Sequence, residues 1–313
     1  MHAVSIHSFG GPSELVLDDM PMPQPGEGDV LVRVRAASVN PVDYKTRSGG
    51  YPAVKQEQLP KVLRRDVAGL VERVGDTVTR FRTSDAVYAM LDREVGGYAE
   101  FVRVHEADAA KTPDGIDFVK AAAVPLAALT AWQGLFDHGH LKAGQRVLIH
   151  GGSGGVGHFA IQFAKNAGAW VATTVSDVDV EFVRKLGADK AIDYRNEQFE
   201  DAVQDIDLVF DLIGGDTQDR SWTVLKRGGA LISTLQKPDQ DEAERRGVRA
   251  TNYMAEPSGA QLAEIARLIE TGKVTVVIDS TFPLQDVGKA HEHMEHDHVH
   301  GKVVLQVAGK RAH

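Results

Sequence analysis

The sequence contains no cysteine among its 313 residues. Disulfide bonds, thiolate nucleophiles and cysteine-ligated zinc are therefore excluded. No apolar run comes near the roughly 20 residues that a membrane-spanning helix requires. The N-terminal segment MHAVSIHSFGGP also lacks the basic-then-apolar pattern of a signal peptide. These absences predict a cytoplasmic enzyme.

The sequence also has no excess of positive charge, since its net charge is −9 at pH 7. Such an acidic protein is expected to have neither nucleic acid nor an anionic membrane as its main partner. Hydrophobic residues make up 42% of the chain and charged residues 25%, which is typical of soluble globular proteins. At this length, two domains are expected rather than one.

What the sequence does contain is a glycine-rich segment between a predicted strand and a predicted helix. Val147–Ile149 is a short apolar run typical of a strand buried on both faces, and His158–Gly168 has helically spaced apolar residues. Glycines permit positive φ and let the backbone approach a pyrophosphate, whose charge the N–H groups of the helix end stabilise. A flexible loop is the alternative, but the flanking elements favour a dinucleotide-binding turn. The turn consists of Gly152, Ser153, Gly154, Gly155, Val156 and Gly157.

The residues before this segment have the pattern of a β domain. Many short strands separated by turn signals imply a small barrel or sandwich. From Phe118 the composition changes, and Ala121–Phe136 is predicted to be a helix that Pro125 starts or kinks. The domain boundary is therefore expected near Lys120. The predicted strands are Val30–Val39, Val67–Val74, Ala86–Met90 and Tyr98–Val104.

After the glycine turn, predicted strands and helices alternate, which indicates a doubly wound parallel sheet in an α/β fold. The tail contains an amphipathic helix at Gly259–Thr271 and then returns to a β pattern, so we expect it to join the N-terminal barrel. The strands predicted after the turn are Trp170–Val175, Lys190–Asp193, Ile206–Leu212, Ala230–Thr234, Val248–Met254, Val274–Phe282 and Gly301–Val307. The further helices are Val178–Leu186, Gln218–Leu225 and Gln285–Glu295.

Short motifs are spread along nearly the whole chain. They include Ser38-Val-Asn-Pro-Val-Asp43, Asp66-Val-Ala-Gly69, Gly97-Tyr-Ala-Glu-Phe101, Ala123-Val-Pro-Leu126, His150–Gly157, Leu186-Gly-Ala-Asp189, Lys226-Arg-Gly-Gly229 and Gly301-Lys-Val-Val304. In this order they resemble the zinc-independent medium-chain dehydrogenases/reductases, in the quinone oxidoreductase (zeta-crystallin-like) group. The resemblance implies a GroES-like β-barrel domain at 1–120 and 256–313 and a Rossmann domain at 121–255, with NADPH bound in the cleft between them. It also implies a homodimer formed by edge pairing of two Rossmann sheets.

The positions that ligate zinc in other members of the superfamily are changed here. The segment Arg64-Arg65-Asp66 stands where a Gly-His-Glu is expected, and Pro41-Val42-Asp43 covers the early cysteine position. We therefore expect no catalytic metal. Without a Lewis acid, alcohol oxidation is hard, whereas reduction of an electron-poor quinone or enone needs mainly hydride proximity and oxygen polarisation. Whether the two arginines reflect substrate charge or turn geometry stays open.

The resemblance implies three candidate catalytic residues and several cofactor contacts. Asn40 is expected beside the nicotinamide, where it would orient that ring or bind a substrate carbonyl. Tyr44 and Tyr51 would line the acceptor pocket or donate a proton, or they simply pack on a loop. Asp43 is interpreted as a structural hydrogen-bonding residue. Contacts at the nicotinamide end are expected from Thr130, Ile213, Gly214 and Leu235, and Lys302 is also expected to bind the cofactor.

The residues that follow the second strand of the Rossmann domain indicate whether the cofactor is NADPH or NADH. Ser176, Tyr194 and Arg195 match the family's NADPH pattern, which favours NADPH. However, Val180 replaces a lysine that often follows, and Asp177 would repel a phosphate. NADH is therefore the less favoured cofactor rather than an excluded one.

A histidine group near the C-terminus is interpreted as an adventitious surface metal site rather than a functional one. Its members are His291, His293, His296, His298 and His300. For the whole chain, three functions stay in competition. The leading one is an NADPH-dependent reductase of quinones or related conjugated carbonyls. The others are a dedicated alkenal or enone double-bond reductase, and a nucleotide-binding structural or RNA-associated protein.

Overall fold

A computed structural model describes residues 1–63 and 65–307. The described chain forms two compact units. Unit 1 contains residues 1–126, 256–271 and 276–307 as far as they are described, and unit 2 contains residues 127–255 and 272–275. Among the described helices, none combines the length and hydrophobicity that a membrane crossing would need.

The first part of unit 1 is mostly β structure. Its strands are β1 His2–Ile6, β2 Leu15–Asp19, β3 Asp29–Val39, β4 Lys61–Val62, β5 Asp66–Val74, β6 Ala86–Met90, β7 Phe101–His105 and β8 Ala109–Lys111. Its helices are α1 Pro41–Arg47 and α2 Phe118–Ala122. The predicted strand Tyr98–Val104 begins later than expected, because Ala99 forms only an isolated bridge to Ala3. Strands β1, β2, β4 and β8 were not predicted.

Unit 2 contains a six-stranded, all-parallel sheet. The strands are β9 Arg146–His150, β10 Trp170–Val175, β11 Lys190–Asp193, β12 Ile206–Asp211, β13 Leu225–Ser233 and β14 Arg249–Asn252. The helices are α3 Pro125–Trp132, which begins at the end of unit 1, α4 Gly157–Asn166, α5 Val180–Lys185, α6 Phe199–Ala202, α7 Gly215–Ser221 and α8 Gln240–Arg246. The spatial order β11-β10-β9-β12-β13-β14 is that of the Rossmann fold. The predicted doubly wound sheet is therefore confirmed.

The tail returns to unit 1, as predicted. It contains α9 Gly259–Glu270, β15 Ile278–Pro283, α10 Val287–His296 and β16 Lys302–Gln306. Strand β16 pairs antiparallel with β3, so the tail strands join the sheet of the N-terminal residues. The strand order in this sheet is β15-β16-β3-β5-β6-β8, and β7 also pairs with β3. A second sheet has the order β2-β1-β4. Buried aliphatic residues of β1, β3, β5, β7 and β16 form the core. The tail strands thus complete the β domain that begins with β1.

Three details differ from the sequence-based expectations. Unit 1 extends past residue 120 to residue 126, because α2 packs on β3 and β5. Residues 272–275 belong to unit 2, since the Gln162 side chain bonds both the N–H and the carbonyl of Thr275, at 2.7 and 3.0 Å. The predicted helix Gln218–Leu225 is shifted: α7 begins at Gly215, and Leu225 already belongs to β13. Pro125 starts α3 as expected, and a π-helical segment at Gln133–His138 continues it.

Candidate active site

The glycine turn of unit 2 lies between β9 and α4, and its glycines differ in the space around them. A Cβ atom on Gly152 would collide with the Thr173 side chain, and one on Gly157 would collide with the Gly151 carbonyl oxygen. These two glycines are required by packing. A Cβ on Gly154 would meet no described atom nearer than the Gly151 oxygen, at 3.7 Å. The turn therefore keeps open space at Gly154.

The end of α4 behind this turn is suited to an anion. Val156 occupies the N-cap position, and no side chain of the described residues caps the helix there. Ser153, Gly155 and Val156 are half-buried, whereas Gly152 and Gly157 are buried. Backbone N–H groups at an uncapped helix N-terminus stabilise negative charge. The predicted members of the turn thus come together as a backbone-lined cradle.

An apolar rim runs along the carboxyl edge of the parallel sheet. Five large hydrophobic side chains are exposed there, one after each of five consecutive strands in the chain: Val178, Tyr194, Ile213, Leu235 and Met254. Their exposed fractions lie between 45% and 65%. Exposed apolar residues gathered on one edge mark a binding surface, and this is the edge at which open parallel sheets bind ligands. The predicted residues Tyr194, Ile213 and Leu235 all belong to this rim.

A buried carboxylate that sequence reasoning missed organises two loops of this edge. Asp211, at the end of β12, accepts hydrogen bonds from the N–H groups of Ile213 and Gly214, at 3.0 and 2.9 Å. It also accepts from the Gln218 amide at 2.8 Å and the Ser233 hydroxyl at 3.0 Å. The loop turns at Gly214, where φ is +75°. Nothing in the sequence around a strand-ending acid such as Asp211 indicates that it has four hydrogen-bond partners.

The residues predicted to select the cofactor lie together after β10 and β11. The Ser176 side chain is buried, and its hydroxyl donates to the Asp179 carboxylate at 2.9 Å, which leaves its oxygen only as an acceptor. The Arg195 guanidinium lies 3.6 Å from the Asp177 carboxylate and 5.8 Å from the Tyr194 ring centre. Both charged side chains are exposed. The surface after β10 and β11 thus carries one cation, Arg195, which is already paired with one anion, Asp177.

Thr130, predicted at the nicotinamide end, is buried in α3. Its backbone carbonyl accepts a hydrogen bond from the Tyr253 hydroxyl. This contact joins α3 to the segment after β14 and explains the rigid placement of Thr130 within unit 2.

In unit 1, Asn40 lies in a buried polar cluster between β3 and α1. Its side-chain N–H donates to the Asp66 carboxylate at 2.8 Å, and its carbonyl oxygen accepts from the Lys302 ammonium. The same Asp66 oxygen accepts from the Ser38 hydroxyl at 2.8 Å, and the Lys302 nitrogen lies 3.8 Å from it. The other Asp66 oxygen accepts from the Leu126 N–H at 2.6 Å. The structure therefore brings Lys302, predicted to bind the cofactor, to Asn40.

Asp43 has the structural role that was expected. Its carboxylate accepts the backbone N–H of Asn40 at 2.7 Å and completes a capping box at the start of α1. Tyr44 follows on the same helix and is half-buried. Burial, and then the negative charge of Glu295, raise the pKa of Tyr44, so its hydroxyl keeps its proton. Tyr51 is half-buried on the loop after α1.

Arg65 contributes to the barrel at the start of β5. Its side-chain Nε donates to the Leu91 carbonyl at 3.1 Å, while the Leu91 N–H donates to the Arg65 carbonyl at 2.6 Å. Burial, and then the nearby Arg93, lower the pKa of Arg65. Arg64 lies outside the described residues. The contacts of Arg65 favour the turn-geometry interpretation over substrate charge.

The C-terminal histidines have separate partners. His291 is buried between Arg47, at 3.3 Å, and the Tyr98 hydroxyl, at 2.8 Å. His293 lies between the Asp279 and Asp297 carboxylates, each at 2.7 Å. His296 lines a surface groove with His293, and the His298 and His300 ring centres are 4.9 Å apart. Since His291 and His293 each use both ring nitrogens, neither is arranged as a ligand for a shared ion.

Comparison with known proteins identifies the fold and the family. A family model for the alcohol dehydrogenase GroES-like domain matches residues 26–114, and one for zinc-binding dehydrogenases matches residues 186–305. The chloroplastic NADPH-dependent alkenal/one oxidoreductase of Arabidopsis thaliana is 38% identical, over 97% of this chain and 79% of its own length.

Two solved structures are similar over nearly the whole chain. The quinone oxidoreductase from Coxiella burnetii has a TM-score of 0.92 and 35% identity, and the match covers 98% of this chain and 99% of that one. The Escherichia coli quinone oxidoreductase complexed with NADPH has a TM-score of 0.88 and 28% identity, covering 98% and 100%.

A GroES-like barrel together with a Rossmann domain defines a medium-chain dehydrogenase/reductase. The chain belongs to the zinc-independent quinone oxidoreductase family of this superfamily, which confirms the family predicted from the motifs. The second family model is named after zinc-binding members. This chain has no cysteine, and Arg65 stands at the expected histidine position, so the usual zinc ligands are replaced.

Proposed function

We propose that the protein is an NADPH-dependent reductase that transfers a hydride to quinones or related conjugated carbonyls without zinc. The observation that carries the proposal is the glycine turn, in which Gly152 and Gly157 are required by packing while Gly154 has open space beside it. A phosphate group bound at the α4 N-terminus would use this space, because the backbone can approach it closely where no side chain intervenes. The match to quinone oxidoreductases, one of them complexed with NADPH, supports a nicotinamide cofactor as that ligand.

The cofactor would be held by unit 2. The backbone of Ser153–Val156 and the α4 N-terminus would bind its pyrophosphate, and Arg195 with Tyr194 would hold the 2′-phosphate. Ile213, Gly214 and Leu235, held in place by Asp211 and Ser233, would form the rim near the nicotinamide. When bound, NADPH supplies the hydride.

The acceptor would be bound by residues of unit 1. The family pattern assigns Asn40 to the neighbourhood of the nicotinamide, where an amide N–H would polarise an acceptor oxygen. The Tyr44 hydroxyl or solvent would provide the proton that accompanies the hydride. An acceptor that is already electron-poor needs no Lewis acid, which agrees with the replaced zinc ligands.

A dedicated alkenal or enone reductase is the second candidate. It is favoured by the 38% identity to a protein named NADPH-dependent alkenal/one oxidoreductase. Both activities would use the same site, and they differ only in whether the hydride reaches a quinone ring or the β-carbon of an enone.

The test is the rate of NADPH oxidation across a panel of quinones and α,β-unsaturated ketones, with NADH as the control. Fastest turnover with quinones supports the first candidate, and 1,4-reduction of enones with little quinone turnover supports the second. Tight NADPH binding without turnover of any acceptor would contradict both and favour the structural or RNA-associated role.

We also propose a cytoplasmic homodimer. The outer strands of the Rossmann sheet are β11 and β14, and an unpaired strand edge of this kind can pair with a second copy. The absence of cysteine agrees with a reducing compartment. Light scattering of the purified protein tests the first part, and a monomer would contradict it. Fluorescence of a tagged chain in its own cells tests the second part.

A further inference from the structure

The buried charges around Asn40 determine which way its carboxamide faces. An ammonium group can only donate a hydrogen bond, so the Asn40 atom that contacts Lys302 is the oxygen. An ionised carboxylate can only accept, so the atom that lies 2.8 Å from Asp66 is the nitrogen. Rotating the amide by half a turn would set N–H against ammonium and oxygen against carboxylate. One orientation is therefore strongly favoured.

This orientation decides what Asn40 can offer to a ligand. One N–H of its amide nitrogen is used by Asp66, which leaves the second N–H. The oxygen accepts from the Lys302 ammonium and, within the capping box, from the Asp43 N–H. Asn40 is only 4% exposed, so little water competes for the group. The residue is thus prepared as a hydrogen-bond donor rather than as an acceptor.

We propose that Asp66 and Lys302 are positioning residues that hold Asn40 as an N–H donor for the carbonyl oxygen of the acceptor. The inference rests on the proposed function and names the feature of the substrate that this site selects. As a hydride reaches a quinone or an enone, negative charge grows on the carbonyl oxygen. A donor that is already oriented stabilises this charge without reorganisation. Lys302 acts through Asn40, not directly on the acceptor.

A purely structural role for the same cluster makes a different prediction. The cluster joins β3, β5 and β16, because Ser38, Asp66 and Lys302 lie at the ends of these strands. If it only holds the barrel together, any set of side chains that preserves the hydrogen bonds should preserve activity. The exchange of an acid and an amide between positions 40 and 66 separates the two roles.

The experiment compares Asn40→Asp, Asp66→Asn and the double variant Asn40→Asp/Asp66→Asn. The double variant keeps the net charge and again pairs one carboxylate with Lys302 and with an amide. It presents a carboxylate where the wild type presents an N–H. Thermal unfolding, NADPH affinity by fluorescence titration and single-turnover NADPH oxidation with a quinone are measured for each.

We expect both single variants to unfold at a lower temperature than the wild type. The double variant should recover most of the unfolding temperature and bind NADPH within about threefold of the wild type. Its hydride transfer should stay about 100-fold slower, the usual effect of losing one donor to a developing oxyanion. A double variant that transfers hydride at the wild-type rate would overturn the positioning role. A wild-type protein that reduces no acceptor would instead refute the proposed function.

A second pair of variants applies if the double variant does not fold. Lys302→Met removes the donor to the Asn40 oxygen, and Lys302→Arg retains one. The Met variant should reduce the quinone at least about tenfold more slowly, and the Arg variant should recover part of that loss. Wild-type hydride transfer in the Met variant would overturn the proposal.

Discussion

The two units of this protein prepare their parts of the site in opposite ways. Unit 2 does so by leaving out side chains: Gly154 lies beside open space, and no described side chain caps the α4 N-terminus. Unit 1 does so by burying full charges, since Asp66 and Lys302 lie 3.8 Å apart and are 0% and 2% exposed. A phosphate group carries its own charge and needs only an open backbone. A neutral carbonyl needs a donor that the protein has oriented.

This difference also determines how a substitution affects each unit. A side chain added at Gly154 would exclude the ligand while leaving the fold intact. A side chain removed from the Asn40 cluster would leave a buried charge without its partner, which commonly costs about 3 to 5 kcal/mol of stability. Ligand binding and folding are therefore separable in unit 2 and coupled in unit 1.

Gly154→Asp should have the largest effect on the part of the site in unit 2, which is the loss of NADPH affinity. The carboxylate would lie where the pyrophosphate binds, so NADPH affinity should fall more than about 100-fold because like charges meet in a confined space. The unfolding temperature should change little, because a Cβ at this position meets nothing closer than 3.7 Å. Fluorescence titration and thermal unfolding measure the two effects.

Gly154→Ala and Gly152→Ala are the matched controls. The first should fold normally and bind NADPH with an intermediate loss, and the second should lower stability because its Cβ collides with Thr173. Retained NADPH affinity in Gly154→Asp would show that the turn has been misassigned.

The same contrast explains what the sequence could predict. The glycine turn is contiguous, and strands such as Trp170–Val175 and Lys190–Asp193 are short apolar segments whose bounds the structure reproduces. Local patterns carry that information. Strands β1 and β4 were not recognised from such a pattern. Strand β4 has only two residues, and it is defined by its pairing with β1. The start of α7 follows a loop in which Asp211 accepts the Ile213 and Gly214 N–H groups, and the presence of an acid at a strand end does not indicate these bonds.

The Asn40 cluster shows the limit for the site. Asn40 and Lys302 were predicted separately from family motifs, but their contact joins residues 262 positions apart. Asp66 was recognised only as part of a motif and as a replacement for a zinc-site residue. The orientation of the Asn40 amide by the Asp66 carboxylate is visible only in the three-dimensional structure. No periodicity or spacing in the sequence indicates it.

Two histidines extend the comparison to pH. In unit 2, burial lowers the pKa of His150 to about 4, although Asp211 opposes this effect. The Thr174 and Ser221 hydroxyls lie 3.0 Å from its two ring nitrogens. An unfolded histidine has a pKa of about 6.5, so the unfolded state binds more protons between pH 6.5 and 4. The free energy of unfolding should therefore fall by about 3 kcal/mol across that range because of His150.

The measurement is the free energy of unfolding of the wild type and of His150→Gln between pH 7 and 4. The variant should be less stable at pH 7 and lose less stability in acid, so the two curves converge. Parallel curves would show that His150 is not held neutral by burial.

Cofactor choice tests the exposed part of unit 2, where a smaller effect is expected. Asp177→Asn would remove the anion that lies 3.6 Å from Arg195. An exposed ion pair is worth about 1 kcal/mol or less, so the KM for NADPH should fall by up to about fivefold. The KM for NADH should change much less, because NADH has no 2′-phosphate.

Glu181→Gln is the control for Asp177→Asn, because it removes an exposed carboxylate that pairs with Arg184 at 3.2 Å instead. It should leave the ratio of the two KM values unchanged. An equal gain for NADH and NADPH in Asp177→Asn would contradict the assignment of Arg195 to the 2′-phosphate.

His293 in unit 1 should give the smallest effect, with the opposite pH dependence from His150. The hydrogen bond to Asp279 raises the pKa of His293, burial opposes this, and Asp297 reinforces it. A raised folded pKa gives stability that is fully present below about pH 6.5 and is lost as the pH rises through the folded value. With His293 25% and Asp297 62% exposed, the contribution is about 1 kcal/mol or less. Wild type should therefore exceed His293→Gln in free energy of unfolding at pH 6, and this difference should shrink by pH 8.5. A difference that grows in alkali would mean that the ring is neutral between its two carboxylates.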